Sequence, residues 1–131
     1  MKRKLNNSIP LSPIHKKAQE IFTLSSHISK YLVHDLATLQ PNGYEDPNIY
    51  FTGDIVQQSI SLAPEIDKAE SKIFSEEKHK HVLSLSHLTN VLYNNCERLE
   101  KTNSNGKDFL PLLRNELKKF KKLQHTWMLT L

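Results

Sequence analysis

The sequence predicts an all-α protein of three or four amphipathic helices that form a helical bundle or a short coiled-coil assembly. Two observations carry this prediction. Apolar residues recur every three or four positions along most of the 131 residues, which is the spacing of a helix with one buried face. Glycine occurs only three times and proline six times, so long segments are free of residues that interrupt a helix.

The first predicted helix covers about 13–39. Ser12 is followed by Pro13, a pair typical of a helix start, because serine caps free N–H groups and proline fits the first turn. The next glycine or proline is Pro41. We expect residues 1–11 to form a disordered basic tail, and residues 12–131 to form a single helical domain.

Residues 40–53 interrupt the helical pattern. This segment, QPNGYEDPNIYFTG, combines turn-forming residues with three aromatic residues, Tyr44, Tyr50 and Phe51. Such a composition predicts an ordered loop that packs on the helices.

A second helix is predicted over 54–63, kinking at Pro64 into a segment that covers 64–102. Residues 75–81 are polar, but the apolar stripe beyond them stays roughly in phase with the stripe before them. We therefore expect one continuous helix with an exposed polar waist, in preference to a hairpin at Ser75. Asn105 and Gly106 predict a turn, and a last helix capped by Asp108 is expected over 108–129.

The net charge of +4 is unevenly distributed along the chain. Residues 1–17 contain five basic groups and no acidic group, residues 18–106 carry a net charge of −5, and residues 107–131 carry a net charge of +4. Two basic ends therefore flank an acidic middle. This pattern predicts that the ends contact something anionic: a nucleic acid, an acidic protein, or the middle of this chain.

Site chemistry does not converge anywhere in the sequence. Gly43, Gly53 and Gly106 are too far apart for a phosphate-binding loop. Cys96 has no local activating motif, and the histidines lack the spacing of a zinc site. We expect no catalytic residue, no cofactor, no metal site and no small-molecule ligand, so the protein is predicted not to be an enzyme.

The basic tail resembles a bipartite nuclear-localisation signal. Its two clusters are Lys2, Arg3 and Lys4, then Lys16 and Lys17 after an eleven-residue spacer. Two such clusters fit separate acidic pockets of an import receptor. The sequence therefore predicts a nuclear protein, whereas the alternative is a solvated tail.

Ser12 lies between these clusters in the segment Ser12-Pro13-Ile14-His15-Lys16, which resembles the target of a proline-directed, cyclin-dependent-type kinase. A phosphate there adds roughly −1.5 to −2 charge at a helix start and beside the import signal. Ser12 is therefore a predicted phosphorylation site.

The last helix is both basic and amphipathic. Such a helix can contact a phosphate backbone, an acidic membrane, a groove on another protein or an acidic partner helix, and the alternative is a solvated lysine face. The predicted anion-contacting residues are Arg114, Lys118, Lys119, Lys121 and Lys122.

Predicted helices of nearly 30 and nearly 40 residues are longer than a compact bundle of this size needs. Their apolar stripes therefore predict packing against other chains, although a self-contained bundle is the alternative. The predicted partner interface comprises Leu85, Leu88, Leu92, Leu99, Leu110, Leu113, Leu117, Phe120, Trp127 and Met128.

The leading hypothesis is a non-enzymatic structural subunit of a nuclear multiprotein complex associated with chromatin, transcription or the kinetochore. Under this hypothesis the protein is part of a hetero-oligomer and packs its helices against partner subunits. We expect no membrane-spanning segment. The alternative is a nucleic-acid-binding helical module that uses the basic last helix and the N-terminal tail. A helical adaptor on acidic membranes is a third hypothesis.

Overall fold

A computed structural model describes residues 12–102 and 104–131, and it confirms an all-α helical bundle. Within these ranges the chain forms no β-strand. Its helices are α1 (Pro13–Leu36), α2 (Ile49–Ile60), α3 (Leu62–Ser71), α4 (Ser75–Leu99) and α5 (Leu110–Met128), and a short 3₁₀ helix, Asn105–Phe109, leads into α5.

The start of α1 lies where the sequence predicts it. Pro13 is the first helical residue, and the Ser12 Oγ accepts a hydrogen bond of 3.4 Å from the His15 backbone N–H. The helix ends at Leu36, before the predicted residue 39. The chain then turns at Gly43, whose φ of 87° is readily available only to glycine.

The predicted loop at 40–53 is displaced to the segment 37–48, because α2 already begins at Ile49. The Asp46 carboxylate accepts a hydrogen bond of 2.9 Å from the Asn48 N–H and shapes this start. Of the three aromatic residues in the predicted loop, Tyr44 and Tyr50 are largely exposed. Phe51 does pack against the core.

The predicted helix interruption near Pro64 is a break between α2 and α3 at Ser61. Pro64 is the third residue of α3 and has no N–H with which to continue the hydrogen-bond pattern of α2. A proline in the first turn costs little, because N–H groups there have no partner within the helix.

The predicted continuous helix over 64–102 is wrong, because α3 and α4 form a hairpin. Lys72 and Phe74 have extended backbones, with ψ of 149° and 139°. Across the hairpin, Glu65 accepts a hydrogen bond of 2.9 Å from Ser84. The polar residues after Phe74 start a new helix, with acidic groups in its first turn, where the helix dipole favours them. Folding back lets both apolar stripes enter one core.

The 3₁₀ helix before α5 is held by groups other than the predicted Asp108 cap. The Ser104 Oγ accepts a hydrogen bond of 3.0 Å from the Gly106 N–H and donates one of 2.7 Å to Asp35. Asp108 itself lies inside the 3₁₀ helix, so the predicted helix start at 108 is corrected to Leu110, and the end at 129 to Met128.

All five helices contribute to one hydrophobic core, which includes Ile21, Ile55, Ile66, Leu92 and Phe120. The longest helix has 25 residues, so the helices are short enough to cover one another. Among the described residues, no buried side-chain nitrogen or oxygen lacks a hydrogen-bond partner. None of the described helices has the length and apolar character needed to cross a membrane.

Candidate functional site

The predicted partner interface lies almost entirely inside this chain's own core. Seven of its ten residues are 0% exposed, Trp127 is buried, Leu88 is half-buried against the core, and Met128 is exposed. The buried residues among them therefore pack within this chain, and for Leu88 and Met128 an interface with another chain stays a prediction. The stripes were correctly identified as apolar, but the hairpin of α3 and α4 gives them partners within the chain. The seven fully buried residues are Leu85, Leu92, Leu99, Leu110, Leu113, Leu117 and Phe120.

The predicted anion-contacting lysines lie on the outward face of α5. Lys118, Lys119, Lys121 and Lys122 are all exposed, whereas the apolar stripe on the opposite side of α5 is buried. Lys118, Lys121 and Lys122 form no ion pair with any carboxylate in the described part of the chain. The positive charges of these three lysines are therefore not neutralised by a neighbouring carboxylate in the described part of the chain.

Arg114 differs from these lysines because its charge is paired with a carboxylate. Its guanidinium binds both carboxylate oxygens of Glu100, with an Nη2–Oε1 distance of 2.8 Å, and donates to the Tyr93 hydroxyl at 3.2 Å. The hydrogen bonds to Glu100, and secondarily to Tyr93, raise the pKa of Arg114 above its ordinary value. Arg114 thus ties α5 to the end of α4.

Glu116 joins the two basic segments that the sequence shows as separate. Its Oε1 accepts a hydrogen bond of 2.8 Å from Lys17 on α1, and its Oε2 lies 3.0 Å from the Lys119 Nζ. The hydrogen bonds from Lys17 and Lys119 lower the pKa of Glu116, and Glu116 raises the pKa of Lys17. Lys17 of α1 and the lysine-bearing face of α5 consequently meet at one carboxylate.

We call this the basic surface, and define it as the five residues Lys17, Lys118, Lys119, Lys121 and Lys122. Its carboxylates are Glu116 and, beside Lys17 at 3.1 Å, Glu20. Lysines therefore outnumber carboxylates. Lys121 also lies 5.1 Å from the centre of the Tyr93 ring, where the ring face attracts its charge.

The predicted nuclear-localisation signal is described only in part. Lys2, Arg3 and Lys4 lie outside the described residues. Lys16 is exposed on the first turn of α1, and Lys17 is paired with Glu20 and Glu116.

Ser12 and His15 belong to a polar cluster that sequence reasoning missed. The Ser12 Oγ lies 2.6 Å from His15 Nδ1, and His15 Nε2 lies 2.8 Å from Asp67 Oδ1 on α3. Glu70 is also near His15 and accepts a hydrogen bond of 3.0 Å from the Trp127 indole N–H. His15 and Asp67 are 52 positions apart in sequence, so no local motif signals this cluster.

Cys96 has the properties of a core residue. It is fully buried, and burial raises the pKa of its thiol to about 12. A thiol with such a pKa is almost wholly protonated at neutral pH, so it is a poor nucleophile.

An apolar area remains exposed at one end of the bundle. Ile73 and Phe74 protrude from the connection between α3 and α4, and Leu129 protrudes from the end of the chain. Beside them lies a groove of about 440 Å³, lined by apolar and polar residues: Ser75, Glu76, Lys78, His79, Val82, Met128 and Leu131. We call Ile73, Phe74, Met128 and Leu129 the apolar end.

Comparison with protein-family models, with curated proteins and with solved structures finds no match for this chain.

Proposed function

We propose that this protein is a non-enzymatic binding module whose ligand is a nucleic acid, held through the basic surface. The observation that carries the proposal is the bridge at Glu116, which brings Lys17 of α1 and Lys119 of α5 together beside the exposed lysines of α5. Sequence reasoning ranked a protein partner first, but the stripes that supported this ranking are buried within the chain.

The spacing of the free lysines suits a phosphate backbone. Lys118 and Lys122 are four residues apart on α5, about 6 Å along the helix axis. Phosphates of one strand in duplex DNA are about 3.4 Å apart along its axis. The two ammonium groups can therefore contact nearby phosphates of one strand at the same time. Contacts of this kind position the protein but do not read sequence.

A charge-reversal experiment tests this proposal. Lys118→Glu combined with Lys122→Glu changes two exposed side chains and leaves the core intact. The matched control, Lys30→Glu with Lys80→Glu, makes the same change in net charge at exposed lysines outside the basic surface. Fluorescence anisotropy with labelled DNA and RNA should show tenfold or greater weakening for the first pair, on the order of 1.4 kcal/mol, and much less for the control.

Equal weakening by both pairs would show that only net charge matters and would contradict the basic surface. Binding to anionic lipid vesicles without binding to either nucleic acid would support the membrane hypothesis instead.

A protein partner is the second candidate, and the apolar end favours it. Ile73 is 86% exposed and Leu129 is 75% exposed, which is unusual for large apolar side chains next to a groove. In this proposal the chain is a subunit of a nuclear complex and inserts these residues into a partner. Phe74→Asp with Leu129→Asp should then release partners from native extract, whereas Tyr44→Asp, on an exposed loop, should not.

The proposal includes nuclear location and phosphorylation at Ser12. Residues 1–20 fused to a fluorescent protein should enter the nucleus, and changing Lys2, Arg3 and Lys4 to Ala should prevent entry. A proline-directed kinase should add one phosphate to the chain but none to a Ser12→Ala variant. Retention of the fusion protein in the cytoplasm would contradict nuclear location. Phosphorylation only at residues other than Ser12 would contradict the predicted phosphorylation site.

A further inference from the structure

Three side chains that commonly bind metals meet where α1 begins. His15 Nε2 lies 2.8 Å from Asp67 Oδ1 and 3.7 Å from Glu70 Oε1. The three ligand atoms all lie within 4.8 Å of one another. Asp67 and Glu70 are three residues apart on α3, so their carboxylates share one helix face. The fold thus brings an imidazole and two carboxylates to one point.

These separations are close to those within a metal's ligand shell. Zinc bonds to nitrogen and oxygen at about 2.0–2.1 Å, and a tetrahedral arrangement then puts neighbouring ligand atoms roughly 3.3 Å apart. The distances from His15 to Asp67 and to Glu70 lie on either side of this value. Small side-chain rotations therefore suffice to place all three atoms around one ion.

Two residues outside the triad orient its ligands. The Ser12 hydroxyl contacts His15 Nδ1 at 2.6 Å, which leaves Nε2 directed at the carboxylates. The Trp127 indole N–H donates to Glu70 Oε2 at 3.0 Å, which leaves Oε1 on the side of His15. Metal-ligating histidines and carboxylates usually have such outer hydrogen bonds, because these fix the ligand geometry.

The charge and the access of the triad also suit a divalent ion. Two carboxylates and a neutral imidazole carry a charge of −2, which one divalent cation neutralises. The Asp67 side chain is 68% exposed and that of Glu70 is 41% exposed, so an ion can enter and keep water in its remaining positions. An imidazole ligand favours zinc and its neighbours among the transition metals over magnesium.

We propose that His15, Asp67 and Glu70 bind a divalent transition-metal ion. The ion links the start of α1 to α3. Because Trp127 donates a hydrogen bond to Glu70, the ion also stabilises the position of the end of α5. Because it binds the folded chain and not the unfolded one, it raises stability by mass action. This site is independent of the basic surface, so neither proposal depends on the other.

Titration of the metal-free full chain with zinc chloride tests the site. Calorimetry should show one tightly bound ion per chain, and saturating zinc should raise Tm by about 5 °C or more. Magnesium chloride at the same concentration should have little effect. Absence of a zinc-dependent rise in Tm would overturn the proposal.

Substitutions identify the residues that bind the ion. Asp67→Asn changes an exposed side chain and keeps its shape, so the fold should persist while zinc affinity falls about tenfold or more. His79→Ala removes an exposed histidine outside the triad and should leave affinity unchanged. Zinc binding that survives Asp67→Asn and Glu70→Gln, or that is lost in His79→Ala, would place the ion elsewhere and contradict the site.

Discussion

Lys17 of α1 donates a hydrogen bond to Glu116 of α5 across 2.8 Å, and this contact brings a lysine of α1 to the basic last helix. Both side chains are more than three-quarters buried. The same carboxylate holds Lys119. Glu116 therefore has two opposed effects, since it stabilises the packing of α1 on α5 and reduces the positive charge of the basic surface.

Replacing Glu116 by glutamine should lower stability. The change removes the ion pair to Lys17, and we expect a loss of about 1 kcal/mol in the free energy of unfolding at pH 7. Urea denaturation followed by circular dichroism measures it. Glu20→Gln is the control, since Glu20 is the more exposed partner of Lys17 and should cost less.

The loss of stability caused by Glu116→Gln should disappear as the pH is lowered. The pKa of Glu116 in the folded chain lies below its ordinary value of 4.5. Its contribution is therefore present above pH 4.5 and is lost as the pH falls through the lower folded value. The stabilities of the natural chain and Glu116→Gln should converge below pH 4.5, and a difference that stays constant to pH 3 would contradict the ion pair.

The same variant should bind nucleic acid more tightly. Without the Glu116 charge, Lys17 and Lys119 become available to phosphates, and we expect an increase in affinity of about three- to tenfold at low salt. Anisotropy with labelled DNA measures it. A decrease in affinity of a folded Glu116→Gln variant would show that the carboxylate itself positions the ligand, against our account.

Truncating a predicted interface leucine should destabilise the isolated chain rather than only release a partner. Leu92 is fully buried, so Leu92→Ala should cost about 2–5 kcal/mol. Leu129→Ala, at an exposed position, should change stability by less than about 0.5 kcal/mol. Thermal unfolding of the purified proteins compares the two variants. Equal midpoints would indicate that Leu92 is not part of this chain's core and would support an interface with another chain.

Two glycines should respond oppositely to alanine. A Cβ on Gly106 would lie 3.0 Å from the Tyr31 Cβ and 3.3 Å from the Leu32 N, so Gly106→Ala should destabilise by pushing the 3₁₀ helix from α1. Gly53 lies inside α2 with nothing within 4 Å, so Gly53→Ala should stabilise by about 0.5–1 kcal/mol. Chemical denaturation distinguishes the signs, and stabilisation by both changes would contradict the close approach at Gly106.

Local chemistry predicts much of this fold, because a helix start depends on neighbouring residues. Ser12 and Pro13 mark the start of α1, and the apolar spacing identifies the buried faces. Periodicity does not reveal the hairpin at 72–74, since the stripe keeps its phase whether the chain continues or reverses. It shows that Leu92 is buried but not whether the covering residue comes from this chain or another.

The candidate sites also combine features that the local sequence predicts with features that depend on the folded chain. The exposed face of α5 follows from its sequence alone, because Lys118 and Lys122 lie opposite the apolar stripe. The contacts of Lys17 with Glu116 and of His15 with Asp67 join residues 99 and 52 positions apart, respectively. Only the folded bundle brings such pairs together, so they could not be predicted from spacing.

The salt dependence of nucleic-acid affinity tests the central claim most directly. Anisotropy titrations with duplex DNA between about 50 and 200 mM salt give the slope of log K against log salt concentration. If Lys118, Lys121 and Lys122 each contact a phosphate, the slope should be about −3, and Lys118→Glu with Lys122→Glu should make it shallower by about 2. A slope near zero, or one that this double variant leaves unchanged, would contradict the account.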